Sequence, residues 1–406
     1  MKKLFKIVLV LSVILAMTAC TPDKPADDET VQQGQEVQQE QQHQQEEQNE
    51  AEDNSETENN TEETEEADKP AKAETIEITV SGGVPSQPID MSSDIDISGP
   101  GIFWDASERV LTLENVNLKS SESALIKVPV TVDATIVVKG ENSITHTKGY
   151  MALGYTKQRS GGNLTIKGSG SLKVDGIVHL YGEHLIVDGC TFEAVNTAGG
   201  NGENTVQMLG SGGFTAKNGA TVTIDGSLNC GSGSDKLLVD GASLTVYAGK
   251  NSGYAIQTSS NVSVVNGGNL RVESNGVKGI DMTRNLLVDE TSSLYIKAAG
   301  ENDFGISNHY EADIRLLGKS VYIYGGKKAI IAEDLDSEPT LILADAAAGK
   351  YFPVIVQSPF GPEYGYRATV VDDPDISVEY ESYDTEEHGG TGYAYNLTAG
   401  VKEISW

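Results

Sequence analysis

The chain has 406 residues, with 60 Asp and Glu against 29 Lys and Arg, for a net charge of −31. A chain this acidic repels nucleic acid, and it disfavours anionic polymers unless a cation bridges the two. Its 3 cysteines are too few to build a disulfide-stapled scaffold.

Residues 1–19 run from Lys2, Lys3 and Lys6 through the apolar stretch Ile7–Met17 to Thr18 and Ala19. A charged head, a greasy middle and small residues before a cut make an export signal rather than a spanning helix. Cys20 follows directly, so this end resembles the lipobox of bacterial lipoproteins, in which the Cys becomes the lipidated N-terminus. The resemblance implies lipidation at Cys20 and membrane attachment through that lipid alone, on the extracellular face. Two acyl chains would give stable anchoring. An ordinary secretory signal with an incidental Cys is the alternative.

Residues 20–75 form the next segment. Nineteen Asp and Glu face three Lys there, Gln is abundant, and large apolar side chains are almost lacking. Such a segment cannot bury a core and is expected to be a disordered stalk. The signal carries +3 and the stalk −16, which leaves −18 for residues 76–406.

Residues 76–109 read as an N-terminal cap ending in Phe103-Trp104-Asp105, needed because an open coil end exposes strand edges. Within it Asp94, Asp96, Ser98, Gly99 and Asp105 imitate the offsets of a calcium loop. Alternating Ile95 and Ile97 argue for a strand instead.

From Leu111 to Ile323 one phrase recurs: apolar, any, apolar, any, then Gly or Asn. It starts at Leu111, Ile136, Leu164, Leu185, Phe214, Leu237, Val262, Leu286 and Ile314, at spacings of 21 to 29 residues. A near-constant long period with strand alternation predicts stacked windings, each with three strands. The fifth position reads Asn115, Gly140, Gly168, Gly189, Asn218, Gly241, Asn266, Glu290 and Gly318, so a left-handed corner is expected at eight of the nine. A second strand opens with Leu118, Ile144, Leu172, Phe192, Val222, Leu244, Leu270, Leu294 and Val321. The third places Ile256, Ile280, Ile306 and Ile330 in one internal ladder. The expected fold is an all-β, right-handed, single-stranded parallel β-helix of about nine or ten coils over residues 76–340, cap included; the hand follows the rule for parallel crossovers. Residues 341–406 lose the period and gather aromatics, which suggests a small β-rich C-terminal cap.

No nucleophile elbow, Walker loop, paired-His zinc motif or dinucleotide turn is present. Cys190 and Cys230 show no spacing that forces a pair. On the second strand's outer face Thr223, Thr245, Arg271, Tyr295 and Tyr322 occupy equivalent places. Aromatic faces beside a guanidinium suit a repetitive glycan, while cross-strand aromatic pairs also stabilise sheets by themselves. On the third strand Asp281, His309 and Glu333 are a trio that could converge, and corner charges solvating a face are the plainer reading.

The Phe103-Trp104-Asp105 run followed by Leu111-Thr112-Leu113, phrases such as Leu164-Thr165-Ile166-Lys167-Gly168, and the lipoprotein signal with its acidic spacer resemble bacterial surface proteins labelled carbohydrate-binding domain-containing. That resemblance implies a pectate-lyase-like β-helix and a non-catalytic, calcium-assisted polysaccharide binder. The chain lacks an obvious run of calcium-ligating carboxylates on one face. The expectation is therefore a monomeric, lipid-anchored polysaccharide-binding protein with Arg271, Tyr295, Tyr322 and Asp281 as contacts, calcium as the implied cofactor and no nucleic-acid partner. An adhesin or scaffold meeting a protein through the C-terminal cap is the second reading, and a polysaccharide lyase or hydrolase the third.

Overall fold

The computed structural model describes residues 75–332 without 122–123, 129–131, 155–161, 182–183, 200–203, 211, 232–236, 250–252, 310–313 and 327, together with seven strands between Thr340 and Ala399. Cys20, the expected stalk and Glu333 lie outside the described residues. Among the described residues no helix is long and apolar enough to cross a membrane.

The regular elements are strands arranged as a right-handed parallel β-solenoid. Each winding contributes one strand to each of three long sheets, and each strand pairs with the strand three later in the chain. One winding, for example, runs through Leu237–Asp240, Ser243–Ala248 and Tyr254–Thr258. Parallel pairing in register brings like positions together, so the alternation read from the sequence becomes continuous inner and outer columns.

Inside, Ile256 pairs with Ile280, Ile280 with Ile306 and Ile306 with Ile330, all of them buried. The first sheet supplies the matching column Phe214, Leu237, Val262, Leu286 and Ile314, each with no exposed surface. Burying one such side chain contributes about 1.5–3 kcal/mol, so stability is spread evenly along the stack and has no single centre.

Nine strand triplets follow one another between Val110 and Ala332. Only seven, from Ala134–Lys139 to Phe304–Asn308, have parallel neighbours above and below in all three sheets. The solenoid therefore has about seven full turns, fewer than the nine or ten expected, and is about 30 Å long at the spacing of paired strands. The first triplet is already part of the cap, because Val110–Glu114 pairs antiparallel with Ile102–Asp105. In the last, Lys328–Ala332 ends its sheet.

The corners also depart from expectation. Asn115, Gly140, Gly189, Asn218, Gly241 and Asn266 have φ between 55° and 69°, and Gly168 has 128°, but Glu290 and Gly318 do not have positive φ. At Glu290 the neighbouring Asp289 makes the bend: its Oδ1 accepts from the Thr291 N–H at 3.0 Å and from the Ser292 hydroxyl at 2.6 Å.

A two-residue shift separates the first full turn from the second. The recurring phrase aligned Ile136 with Leu164 and Ile144 with Leu172, whereas the ladder pairs Ile136 with Ile166 and Ile144 with Val174. An even shift keeps the inward face inward. Asn142 takes up the difference: it faces inward opposite Leu172 and is buried, its amide donates to the carbonyls of Lys139 and Ser171 at 3.1 Å, and its Oδ1 accepts from Val116 N–H at 3.1 Å. Beyond the shift, charged residues beside the corner stack with alternating sign from Lys167 through Asp188 and Lys217 to Asp240, with Lys217 3.3 Å from Asp188.

At the N-terminal end Thr75–Glu77, Asp96–Gly99 and Ile102–Asp105 continue the first sheet over the open winding. Trp104 is fully buried there and its indole N–H donates to the Ser93 carbonyl at 3.0 Å. At the other end Val354–Gln357 pairs with the last winding, followed by the antiparallel strands Gly390–Ala399 and Ile376–Thr385. Cys190 and Cys230 are free and buried; burial pushes the Cys190 thiol up to about 11 and raises that of Cys230 further.

Two outcomes follow. Ile280→Ala should cost about 2–5 kcal/mol, from lost transfer energy and the cavity left between Ile256 and Ile306, measured by denaturant unfolding. At pH 8 both thiols should react with a thiol reagent only slowly in the folded protein and fully in denaturant, since little thiolate forms in either buried site; counting labelled thiols by mass checks this.

Candidate functional site

The outer face of the second sheet presents three parallel columns, because positions one, three and five of each strand point outward. The middle column runs Lys173, Glu193, Thr223, Thr245, Arg271, Tyr295 and Tyr322. Arg271, Tyr295 and Tyr322 are thus consecutive neighbours, as the repeat implied. The Arg271 guanidinium lies 4.2 Å from the Tyr295 ring centre, and the Tyr295 and Tyr322 rings stack at 5.1 Å with 19° between their planes.

This geometry changes what Tyr295 can offer. One ring face carries Arg271 and the other Tyr322, so a sugar cannot lie flat on it. It presents its edge and hydroxyl instead. Burial raises the hydroxyl pKa of both Tyr295 and Tyr322, so both remain protonated donors. Arg271 is fixed by Glu273 two residues along the same strand, with Nε at 2.7 Å and Nη2 at 2.5 Å from one carboxylate oxygen. Burial alone would lower the Arg271 pKa; the Glu273 carboxylate outweighs it and holds the pKa above the usual value.

The next outward column contains residues that the sequence reading passed over: Asp225, Tyr247, Glu273, Lys297 and Tyr324, paired in register. Asp225, Tyr247, Glu273, Asn275 and Lys297 line an open depression of about 360 Å³. Tyr247 is 41% exposed, which makes it the open aromatic surface that Tyr295 is not. The available signal was simple, since these residues lie two places beyond the column already recognised.

Asp281 belongs to a different face. It lies on the third sheet in an outward column of Gln207, Asn229, Gln257, Asp281 and Ser307. The column is bonded side chain to side chain: Asn229 donates to Gln257 at 3.2 Å and Gln257 to Asp281 at 3.4 Å. Lys278 Nζ is 3.0 Å and His309 Nε2 2.8 Å from the same Asp281 oxygen, and Lys278 also reaches the buried Ser307 hydroxyl at 3.1 Å. Asp281 and His309 therefore do converge. Asp281 is only 8% exposed, so it braces neighbouring turns and offers little surface to a ligand. Burial pushes its carboxyl up, but the hydrogen bonds and charges of His309 and Lys278 prevail and hold it below the ordinary range.

The implied calcium does not fit what is present. Among the described residues no group of three His, Cys, Asp or Glu side chains could hold a metal ion. The segment imitating a calcium loop is a hairpin, Asp96–Gly99 paired antiparallel with Ile102–Asp105. Its carboxylates have local work: Asp96 accepts from Ala106 N–H, Asp105 from the Ser107 hydroxyl and Glu108 N–H, and Asp94 lies 3.8 Å from Arg109.

No protein-family model, curated protein or solved structure matches this chain. The class defined by the fold is a parallel β-solenoid, and its second sheet carries an aromatic and charged outer face.

Asp281→Ala should lower stability by about 1.5–3 kcal/mol at neutral pH, because it removes the charged acceptor that Lys278 and His309 share. A depressed folded-state value means that Asp281 contributes fully above the ordinary 3.8 and loses that contribution as pH falls through the lower folded value. The gap between wild type and variant should therefore narrow only in strong acid, which thermal unfolding across pH 2 to 7 measures.

Proposed function

We propose that this chain is a non-catalytic, lipid-anchored surface protein that binds polysaccharide along the second sheet of its solenoid, displayed on the extracellular side of the membrane. The single observation that carries the reading is the exposed Tyr247 ring above a depression lined by Asp225, Glu273, Asn275 and Lys297, beside the Arg271, Tyr295 and Tyr322 stack. One open aromatic surface with convergent hydrogen-bonding groups matches the chemistry of a sugar, which has an apolar ring face and a polar rim. The export signal and Cys20 support the lipid anchor.

Arg271, Tyr295 and Tyr322 act in this reading as an edge of donors, with Tyr247 as the stacking platform. Asp281 contributes by keeping the turns in register. Glu193 and Glu273 are ion-paired, Asp175 accepts from Thr197 and Asp225 is exposed, so the reading assigns no catalytic acid, and incubation with polymer should yield no new reducing or unsaturated ends.

A second reading has one supporting feature: Ile376–Thr385 is the last strand of its sheet, an edge of ten residues to which a protein strand could add. Removing residues 376–399 separates the two readings, since glycan binding should persist and partner binding should disappear.

Retention on insoluble polysaccharides tests the proposal. Wild type should be retained equally with and without a calcium chelator. Tyr247→Ala should weaken retention about tenfold, the equivalent of about 1.4 kcal/mol, with unfolding unchanged. Retention of Tyr247→Ala at the wild-type level would dismiss this face.

A further inference from the structure

The charges on the outer face of the second sheet divide by whether the protein itself engages them. Between Lys173 and Lys297, Lys173 pairs with Glu193 and Arg271 with Glu273, while Asp175 accepts from the backbone N–H and the hydroxyl of Thr197. Two charges are left over. Among the described residues, neither the Asp225 carboxylate nor the Lys297 ammonium makes a hydrogen bond or ion pair, and both are exposed. Both line the depression beside Tyr247.

Register fixes their order. Asp225 pairs with Tyr247, Tyr247 with Glu273 and Glu273 with Lys297, so the free carboxylate adjoins the open ring on one side and the free ammonium stands two strands away on the other. Three strand spacings separate the two charges, about 14 Å, which exceeds the screening length of about 8 Å at physiological ionic strength, so they do not neutralise each other. Glu273, between Tyr247 and Lys297, gives one oxygen to Arg271, and among the described residues its second oxygen has no partner. The Asn275 side-chain amide lines the same depression unbonded, its backbone N–H alone donating, to the Ala248 carbonyl at 3.3 Å. The depression therefore has a carboxylate end beside an aromatic ring and an ammonium end beyond it.

We infer that the ligand of this depression is a dipolar glycan, with an unsubstituted amino group on the sugar that stacks on Tyr247, held by Asp225, and an anionic group further along the solenoid axis, held by Lys297. This rests on the polysaccharide reading above. A sugar lying on the Tyr247 ring has its polar rim at the level of the neighbouring strands, where Asp225 and the second oxygen of Glu273 are the acceptors. An ammonium on that rim meets two carboxylates in charge-assisted hydrogen bonds, whereas an acetylated amine brings a single donor and no charge. At the far end an anionic group meets the cation that the protein has not engaged. A uniformly anionic polymer places like charge against Asp225, and a uniformly cationic one places it against Lys297. Only a ligand carrying both signs matches both ends.

Calorimetry at neutral pH tests this with oligosaccharides of equal length bearing acetylated amines only, free amines only, uronates only, or free amines and uronates in alternation. The alternating oligomer should bind most tightly. Asp225→Asn and Lys297→Met should each weaken it about fivefold, the weight of an exposed ion pair, with unfolding unchanged, and Asp225→Asn should not weaken the uronate-only oligomer. Glu114→Gln removes an equal charge at an exposed position of the first sheet and should change nothing. A loss in Glu114→Gln as large as that in Asp225→Asn means that net charge alone draws the ligand, and overturns the site. Free amines alone or uronates alone binding as tightly as the alternating oligomer, or full affinity in both variants, overturns the two-ended reading. Equal affinity for the acetylated and alternating oligomers overturns the dipolar ligand and leaves polysaccharide binding at Tyr247 intact. Affinity for none of them, with retention on no polysaccharide, removes both.

Discussion

Parallel pairing of each strand with its equivalent one winding later is the constraint on which everything else depends. It removes the freedom of each turn to choose its own register, because a slip of one residue would turn every inward Leu, Ile and Val outward. In exchange it converts a local alternation into ladders, such as Ile256 to Ile330 inside and Arg271 to Tyr322 outside. The interior contributes stability in equal increments and the exterior becomes a printed surface whose chemistry can vary freely.

Two outer faces use that freedom in opposite ways. The third sheet joins its polar column into a chain of hydrogen bonds from Asn229 through Gln257 to Asp281, with Lys278 and His309 closing it. Groups satisfied in this manner are committed to holding turns together. The second sheet keeps Tyr247 open beside a depression lined by Asp225, Glu273 and Lys297.

The central aromatic stack shows how adjacency leaves open the way a side chain meets its surroundings. That Arg271, Tyr295 and Tyr322 adjoin was legible, because equal phase in successive repeats means adjacency. That both faces of Tyr295 are occupied was not, since ring orientation depends on rotamers chosen among neighbours. The same limit explains Asp281: its column was readable, while its burial depends on Lys278 and His309 reaching it from other positions.

By itself the sequence determined the fold class, the inward residues and the stacking of the later turns, because period-two alternation and a near-constant repeat are local properties that survive any detail of packing. Only the tertiary structure decided the number of full turns, the two-residue shift absorbed at Asn142 and the role of Asp289 at its corner. It also decided which tyrosine stays open. These depend on what lies above and below a given residue, on where antiparallel cap strands replace parallel ones, and on how side chains divide a shared surface, and none of that is written in the phase of a repeat.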